Sequence, residues 1–208
     1  MTKTSNWDYK IIKSVIPKSY IKLLTDYFTS KKEVYQTMLD KGYINEHSPS
    51  DFGTMFDPDM PGMFCIYGDV MNDMLMSNLK PRMEEETGMS LVPTYSFMRI
   101  YTNGNKLPRH KDRSSCEIST TLNLDGDMWP IFLKMDDRPN EEIEVKLNPG
   151  DMLIYRGCDQ EHWRNEFRGS SSVQTFLHYN NVDGPFGKTN MYDARAHLGL
   201  PEQFRDIG

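Results

Sequence analysis

The chain has 208 residues, of which 38% are hydrophobic and 26% charged, and its formal net charge is -6. This length and balance exclude a disordered chain and suffice for one domain that buries its own core. No stretch approaches the roughly 20 apolar residues of a membrane helix, and the first residues lack the apolar core of a secretory signal. The three cysteines (Cys65, Cys116 and Cys158) suggest no disulfide framework. We therefore expect a single-domain protein of the reducing cytoplasm.

The charge is distributed unevenly along the chain. Residues 1–42 hold eight lysines and four acidic residues, so this segment carries +4 and the remainder -10. Nucleic-acid binding requires a concentrated basic face, which an acidic chain does not provide overall. The lysines are better explained as the solvated face of an amphipathic helix. We do not expect nucleic acid as a partner.

Two helical regions are predicted within residues 1–90. Apolar side chains after Pro17 recur at helical spacing and predict one or two helices: Tyr20, Leu23, Leu24, Tyr27 and Phe28. A second helix is expected at about 67–87, ending near Gly88, with Pro81 as a candidate kink or break. Between them, residues 43–66 are rich in Gly, Pro, Asp and Ser and predict an irregular surface loop.

From residue 91 onwards the pattern changes to short β-type runs separated by turn residues. Six runs stand out: LVPTYSFMRIYT, CEISTTLNL, MWPIFLKM, IEVKL, DMLIYRG and SVQTFLHYN. Their number and the absence of helical patterns between them favour a sandwich, jelly roll or barrel. We expect a mainly β protein with N-terminal helices, a β core over 91–182 and an extension over 183–208. The extension is predicted to carry a last short helix within 191–206.

The pattern that carries chemistry is His110-Lys111-Asp112, followed fifty residues later by His162. Side chains two apart on an extended segment point the same way, so His110 and Asp112 can bind one ion from one side. His162 follows another predicted strand and approaches from a second direction. Two imidazoles and one carboxylate on a single face suit non-haem iron(II) and leave three coordination positions open. The three residues are therefore candidate metal ligands and the candidate catalytic centre.

Four segments resemble the iron(II)- and 2-oxoglutarate-dependent oxygenases, particularly their prolyl-4-hydroxylase-like branch. These are MRIYTNGNKLPRHKD, STTLNL, NPGDMLIYRGCDQEHWR and SVQTFLHYN, in family order over roughly residues 94–182. The resemblance implies a double-stranded β-helix, a distorted jelly roll of cupin type. It also implies iron(II), 2-oxoglutarate as co-substrate, dioxygen, and release of succinate and carbon dioxide.

The resemblance breaks at the co-substrate pocket. Tyr101 matches a tyrosine that contributes its hydroxyl to this pocket in the relatives. The basic residue expected after the second histidine, however, is replaced by Gln174, and a neutral amide cannot neutralise the distal carboxylate of 2-oxoglutarate. Arg164, two residues after His162, is our preferred substitute cation, and Arg168 in the following loop is the second candidate.

Other assignments stay open for several residues. His178 lies in a β-type run and competes with His162 as the third ligand. Trp129 and Trp163 are candidate substrate-pocket residues, although tryptophans more often serve packing. Cys158 and His162 have the spacing of half a zinc site, but no second pair lies near them.

The sequence thus predicts an oxygenase that hydroxylates a peptide or protein side chain, with proline the first candidate. The alternatives are a non-catalytic jelly-roll binding module, and an oxygenase of nucleobases or of a small metabolite. The sequence does not indicate an oligomeric state.

Overall fold

The computed structural model describes residues 7–48, 51–57, 60, 62–135 and 138–206. The first helix, α1, is one continuous element at Lys18–Asp40. Its buried face consists of Ile21, Leu24, Phe28 and Tyr35. Two residues of the predicted apolar face, Tyr20 and Leu23, are instead 58% and 52% exposed. The correction follows from helical geometry, because Ile21, Leu24 and Phe28 are three and four residues apart and share one stripe.

The second helix, α2, spans Val70–Thr87. Its N-terminus is capped by Asp69, whose carboxylate accepts hydrogen bonds from the backbone amides of Met71 and Asn72 at 2.9 and 3.3 Å. It ends at Gly88, which adopts φ 69° and so supplies the left-handed C-cap that favours glycine. The helix continues through Pro81 without a break. Among the described residues, no helix combines the length and apolar character needed to cross a membrane.

The part of the chain that the structure describes contains ten strands, which form two antiparallel sheets. Their bounds are β1 Tyr9–Ile12, β2 Phe64–Tyr67, β3 Leu91–Thr102, β4 Leu107–His110, β5 Ile118–Gly126, β6 Ile131–Met135, β7 Arg138–Val145, β8 Met152–Tyr155, β9 His162–Arg164 and β10 Ser171–Asn181. The larger sheet has the order β1-β8-β5-β10-β3-β2 and the smaller one β4-β9-β6-β7. Strands β3 to β10 therefore contribute four to each sheet, which is the jelly-roll arrangement expected for a double-stranded β-helix.

The secondary structure predicted before and after the β core needs correction. Strands β1 and β2 lie within the region expected to be helices and loop, and β2 begins inside the predicted loop 43–66 and ends just after it. Each has only four residues, which is too short to show a period. Pairing with β8 and β3 at the two edges of the larger sheet makes them strands. The predicted helix within 191–206 is replaced by a turn at Met191–Ala194 and a short 3-10 helix at Glu202–Phe204.

The two faces of β3 separate the helical core from the space between the sheets. Met98 and Ile100 belong to the main hydrophobic cluster, together with Phe28 of α1 and Met76 of α2. Alternate residues of the strand point the other way, as the pleat requires, and Tyr101 belongs to a separate cluster between the sheets. The helices thus cover one face of the larger sheet and leave the other face free to build a site.

Candidate metal centre

Three candidate ligands meet at one end of the space between the sheets. His110 ends β4 and His162 begins β9, and the two residues are paired directly across these strands. Their ring centroids are 4.3 Å apart. Each Nε2 lies 3.4 Å from Oδ1 of Asp112, which follows β4 by two residues. The ligand atoms of the three residues all lie within 4.8 Å of one another.

Both imidazole rings are oriented by backbone carbonyls. Nδ1 of His110 lies 2.8 Å from the carbonyl oxygen of Pro108, and Nδ1 of His162 lies 3.0 Å from that of Gln160. A carbonyl oxygen can only accept, so each Nδ1 donates to its carbonyl and each Nε2 is left facing Asp112. This is the usual outer-shell support of a metal-binding histidine. The two Nε2 atoms are therefore ready to coordinate an ion.

The Asp112 carboxylate is held by its own neighbours. Its Oδ2 accepts a hydrogen bond of 2.8 Å from the Ser119 hydroxyl, and its backbone amide donates to the Gly157 carbonyl at 2.8 Å. Burial raises the pKa of this carboxyl, but hydrogen bonds with His110 and His162 outweigh it and hold the pKa well below the ordinary value. A Cβ at Gly157 would lie within 3.0 Å of Oδ2. Only glycine therefore leaves room for the carboxylate here.

A second group of possible ligands consists of Asp112, Cys116 and His178, so it shares Asp112 with the first. Nδ1 of His178 lies 3.0 Å from the Ser119 hydroxyl, and burial lowers the pKa of this imidazole to about 4. Burial also raises the pKa of the Cys116 thiol well above its ordinary value. A thiol binds metal after losing its proton, so this group suits an ion less well than the first. Cys158 belongs to neither group, and its thiol donates to the Arg113 carbonyl at 3.1 Å.

The ligands open into a cavity of about 280 Å³. Strand β3 lines it with Tyr95, Phe97 and Arg99, and β10 with Phe176 and His178. A neighbouring hollow of about 420 Å³ has the same three β3 residues in its wall. The space above the ligands therefore continues outward along β3.

Arg164 lies deeper in the barrel as a buried cation with neutral partners. The residue is 1% exposed, and its guanidinium donates to the backbone carbonyl of Trp129, to the Thr121 hydroxyl at 3.3 Å and to the Gln174 side-chain oxygen at 3.4 Å. Burial lowers its pKa to about 10, so it remains charged at neutral pH. Among the described residues, neither Arg164 Nε nor the buried Tyr101 hydroxyl has a hydrogen-bond partner. An unneutralised buried cation beside unused donors is costly unless an anion binds there.

The remaining predicted site residues are divided between the interior and the surface. Gln174 is buried and also donates to the Asn123 side chain at 3.0 Å. Trp129 lies inside, with its ring 4.7 Å from that of Tyr101. Trp163 takes the opposite face of β9 and stacks on Phe132 at 5.5 Å. Arg168 is exposed, pairs with Glu166 at 3.0 Å, and is not brought into this group.

Arg99 is a site residue that the sequence reasoning missed. In the register of β3 and β10 it stands directly opposite Gln174. It forms an ion pair of 3.0 Å with Asp57, and its buried Nε has no hydrogen-bond partner among the described residues. The signal was present, because Arg99 lies two residues before Tyr101 and therefore on the same face of the strand.

Comparison with solved structures shows the fold. No protein-family model matches the sequence, and no curated protein matches it. A prolyl-4-hydroxylase from Pseudomonas putida superimposes with a TM-score of 0.60 at 12% identity, covering 85% of this chain and 94% of that one.

Two further structures contain bound co-substrate. The viral collagen prolyl hydroxylase of Paramecium Bursaria Chlorella virus-1, solved as a 2-oxoglutarate complex, gives a TM-score of 0.59 at 8% identity over 87% of this chain and 99% of that one. HygX from Streptomyces hygroscopicus, with nickel and 2-oxoglutarate bound, gives a TM-score of 0.56 at 11% identity, covering 84% of this chain and 83% of that one. The chain thus has the double-stranded β-helix fold of the 2-oxoglutarate oxygenases, which confirms the predicted fold class.

Proposed function

We propose that this protein is an iron(II)- and 2-oxoglutarate-dependent oxygenase whose metal is held by His110, Asp112 and His162. The observation that carries the proposal is the convergence of two Nε2 atoms on one carboxylate, in a fold shared with such oxygenases. Two histidines and a carboxylate with open positions are the donor set of non-haem iron(II) oxygenases. Bound iron, 2-oxoglutarate and dioxygen would supply the oxidising chemistry, with succinate and carbon dioxide as co-products.

The residues around Arg164 suit the co-substrate. The unneutralised guanidinium of Arg164 and the unpaired Tyr101 hydroxyl offer a charge and donors to the distal carboxylate of 2-oxoglutarate. Gln174 accepts from Arg164 and so orients the cation that replaces the usual basic side chain. Arg99, opposite Gln174, adds a further unused donor. Arg164 therefore remains the proposed anchor of the distal carboxylate. Arg168 is no longer proposed, because it lies at the surface.

For the primary substrate we propose a peptide or protein side chain, with proline first. The hollow of about 420 Å³ beside the metal cavity adjoins another hollow of about 650 Å³. The walls of these two hollows share Thr54, Phe56, Cys65, Tyr67 and Glu202. A run of connected hollows suits an extended chain better than a free amino acid. Two of the structural neighbours are prolyl hydroxylases, which agrees with this choice. A small metabolite is the second candidate, because the cavity at the ligands alone measures about 280 Å³.

The proposal is tested first for co-substrate binding and then for turnover. Iron(II) and 2-oxoglutarate, added without oxygen, should produce the weak visible charge-transfer band of the chelate, and His162→Ala should abolish it. Turnover is then measured with separate pools of proline-containing peptides, free amino acids and methylated oligonucleotides, recording succinate and the gain of one oxygen. A chain that binds neither iron nor 2-oxoglutarate would be a binding module, whereas turnover of another pool alone would refute only the peptide assignment.

A further inference from the structure

The C-terminal segment after β10 folds back onto the loop that carries Asp112. The central contact is made by Asp193, a carboxylate in a residue that is 1% exposed. It accepts two hydrogen bonds from the Arg113 guanidinium, at 2.5 and 2.6 Å, and one of 2.6 Å from the Ser115 hydroxyl. Arg113 directly follows the candidate ligand Asp112. The contact therefore fixes the backbone immediately beside the metal centre.

The same carboxylate is anchored to the body of the protein. The Tyr67 hydroxyl on β2 donates to its Oδ2 at 2.5 Å, and the Arg205 Nε lies 3.2 Å from the same atom. Nearby, the Asn190 amide donates to the Ser114 hydroxyl at 3.1 Å. Asp193 and Asn190 of the C-terminal segment thus hold the loop that carries Asp112 against the larger sheet.

The backbone at this contact is unusual. Tyr192, Asp193 and Ala194 have φ values of 52°, 57° and 60°, which places three successive side-chain-bearing residues in the left-handed region. Residues other than glycine adopt this conformation singly, and a run of three persists only where the surroundings hold it. The bonds to Asp193 are the contacts that offset this strain.

The Arg113 side chain also forms part of the cavity wall. Its guanidinium lies 4.5 Å from the centroid of the Tyr95 ring, which in turn is 4.6 Å from the ring of His178. Arg113 lines both the metal cavity and the adjoining hollow. Displacement of Arg113 would therefore disturb the Asp112 loop and the entrance together.

We propose that Asp193 is a positioning residue for the metal centre, acting through Arg113 and Ser115 to hold the loop of Asp112 in its ligating position. This inference rests on the proposed function. Partners that orient metal ligands typically contribute about 10- to 100-fold in metal affinity. We therefore expect Asp193→Asn to weaken binding of cobalt(II) by at least about tenfold and to change the visible spectrum of the bound ion.

The experiment measures cobalt(II) affinity and spectrum together with thermal unfolding. Arg205→Gln is the matched control, because it removes one contact to the same carboxylate from outside the loop of Asp112 and leaves the bonds from Arg113 and Ser115 in place. It should leave affinity and spectrum unchanged. Ser115→Ala removes one bond to Asp193 but keeps the ion pair with Arg113, so we expect an intermediate loss of cobalt(II) affinity. This variant tests the inference if Asp193→Asn fails to fold.

Four outcomes distinguish this inference from the proposed function on which it rests. Unchanged affinity in both Asp193→Asn and Ser115→Ala would overturn the positioning role, as would equal losses in Arg205→Gln, which would indicate general packing. If the unaltered protein binds no cobalt(II), the proposed function itself fails. Selective loss in the Asp193 and Ser115 variants supports the inference.

Discussion

Arg164 offers a test in which stability and co-substrate binding should respond differently to one substitution. Its guanidinium is buried and charged, and its described partners are a backbone carbonyl, a hydroxyl and an amide oxygen. Replacing this arginine by methionine removes the desolvation cost of a buried charge. It also leaves the Trp129 carbonyl and the Gln174 oxygen without this donor, which opposes the gain. We therefore expect Arg164→Met to leave the free energy of unfolding of the metal-free protein within about 1 kcal/mol, a shift of about 2–4 °C in Tm.

Binding of 2-oxoglutarate should suffer much more. A hydrogen bond to a charged group contributes about 1.5 to 3 kcal/mol. Loss of the Arg164 contact should therefore raise the dissociation constant about 10- to 150-fold. The assay is anaerobic titration of the iron-loaded protein with 2-oxoglutarate, followed in the visible band of the chelate, beside a thermal melt without metal.

Arg168→Met is the matched control, because this exposed arginine pairs only with Glu166 among the described contacts that involve it. Arg168→Met should alter neither the free energy of unfolding nor the dissociation constant of 2-oxoglutarate. An unchanged dissociation constant in Arg164→Met, or a larger effect in Arg168→Met, would refute the assignment. A severe loss of metal-free stability in Arg164→Met would show that the arginine serves the barrel rather than an anion.

Three further predictions concern the metal centre and the loop beside it. Metal binding, measured by calorimetry with manganese(II), should be lost when alanine replaces His110, Asp112 or His162. It should be retained in His178→Ala. Gly157→Ala should also weaken metal binding, since its Cβ would lie within 3.0 Å of Asp112 Oδ2, whereas Gly184→Ala, with its nearest atom at 3.2 Å, should not. Burial raises the pKa of Asp193, but bonds from Arg113, Ser115 and Tyr67 lower it below the ordinary value. Its contribution to stability is then present above the unfolded pKa of about 4 and lost as the pH falls through the folded pKa, so denaturation between pH 7 and 3 should show a smaller acid-induced loss in Asp193→Asn.

The strand pattern and the spacing of the site motif could be read from the sequence because both are local. The β-type run at residues 91–102 predicts β3, and the jelly-roll class is confirmed by the fold of the solved structures. The His-x-Asp spacing put His110 and Asp112 on one side of the chain for the same geometric reason. Their role as ligands, and that of His162, stays a prediction.

Tertiary structure alone decided what faces the cavity from distant parts of the chain. The strand β2 has no period of its own and becomes a strand by pairing with β3. Arg99 becomes a pocket residue because the register of β3 and β10 sets it opposite Gln174. Asp193 reaches Arg113 across 80 residues, through a left-handed turn that no local propensity favours. Local spacing specifies which side chains can point together, whereas strand register and the docking of the C-terminal segment specify which of them meet.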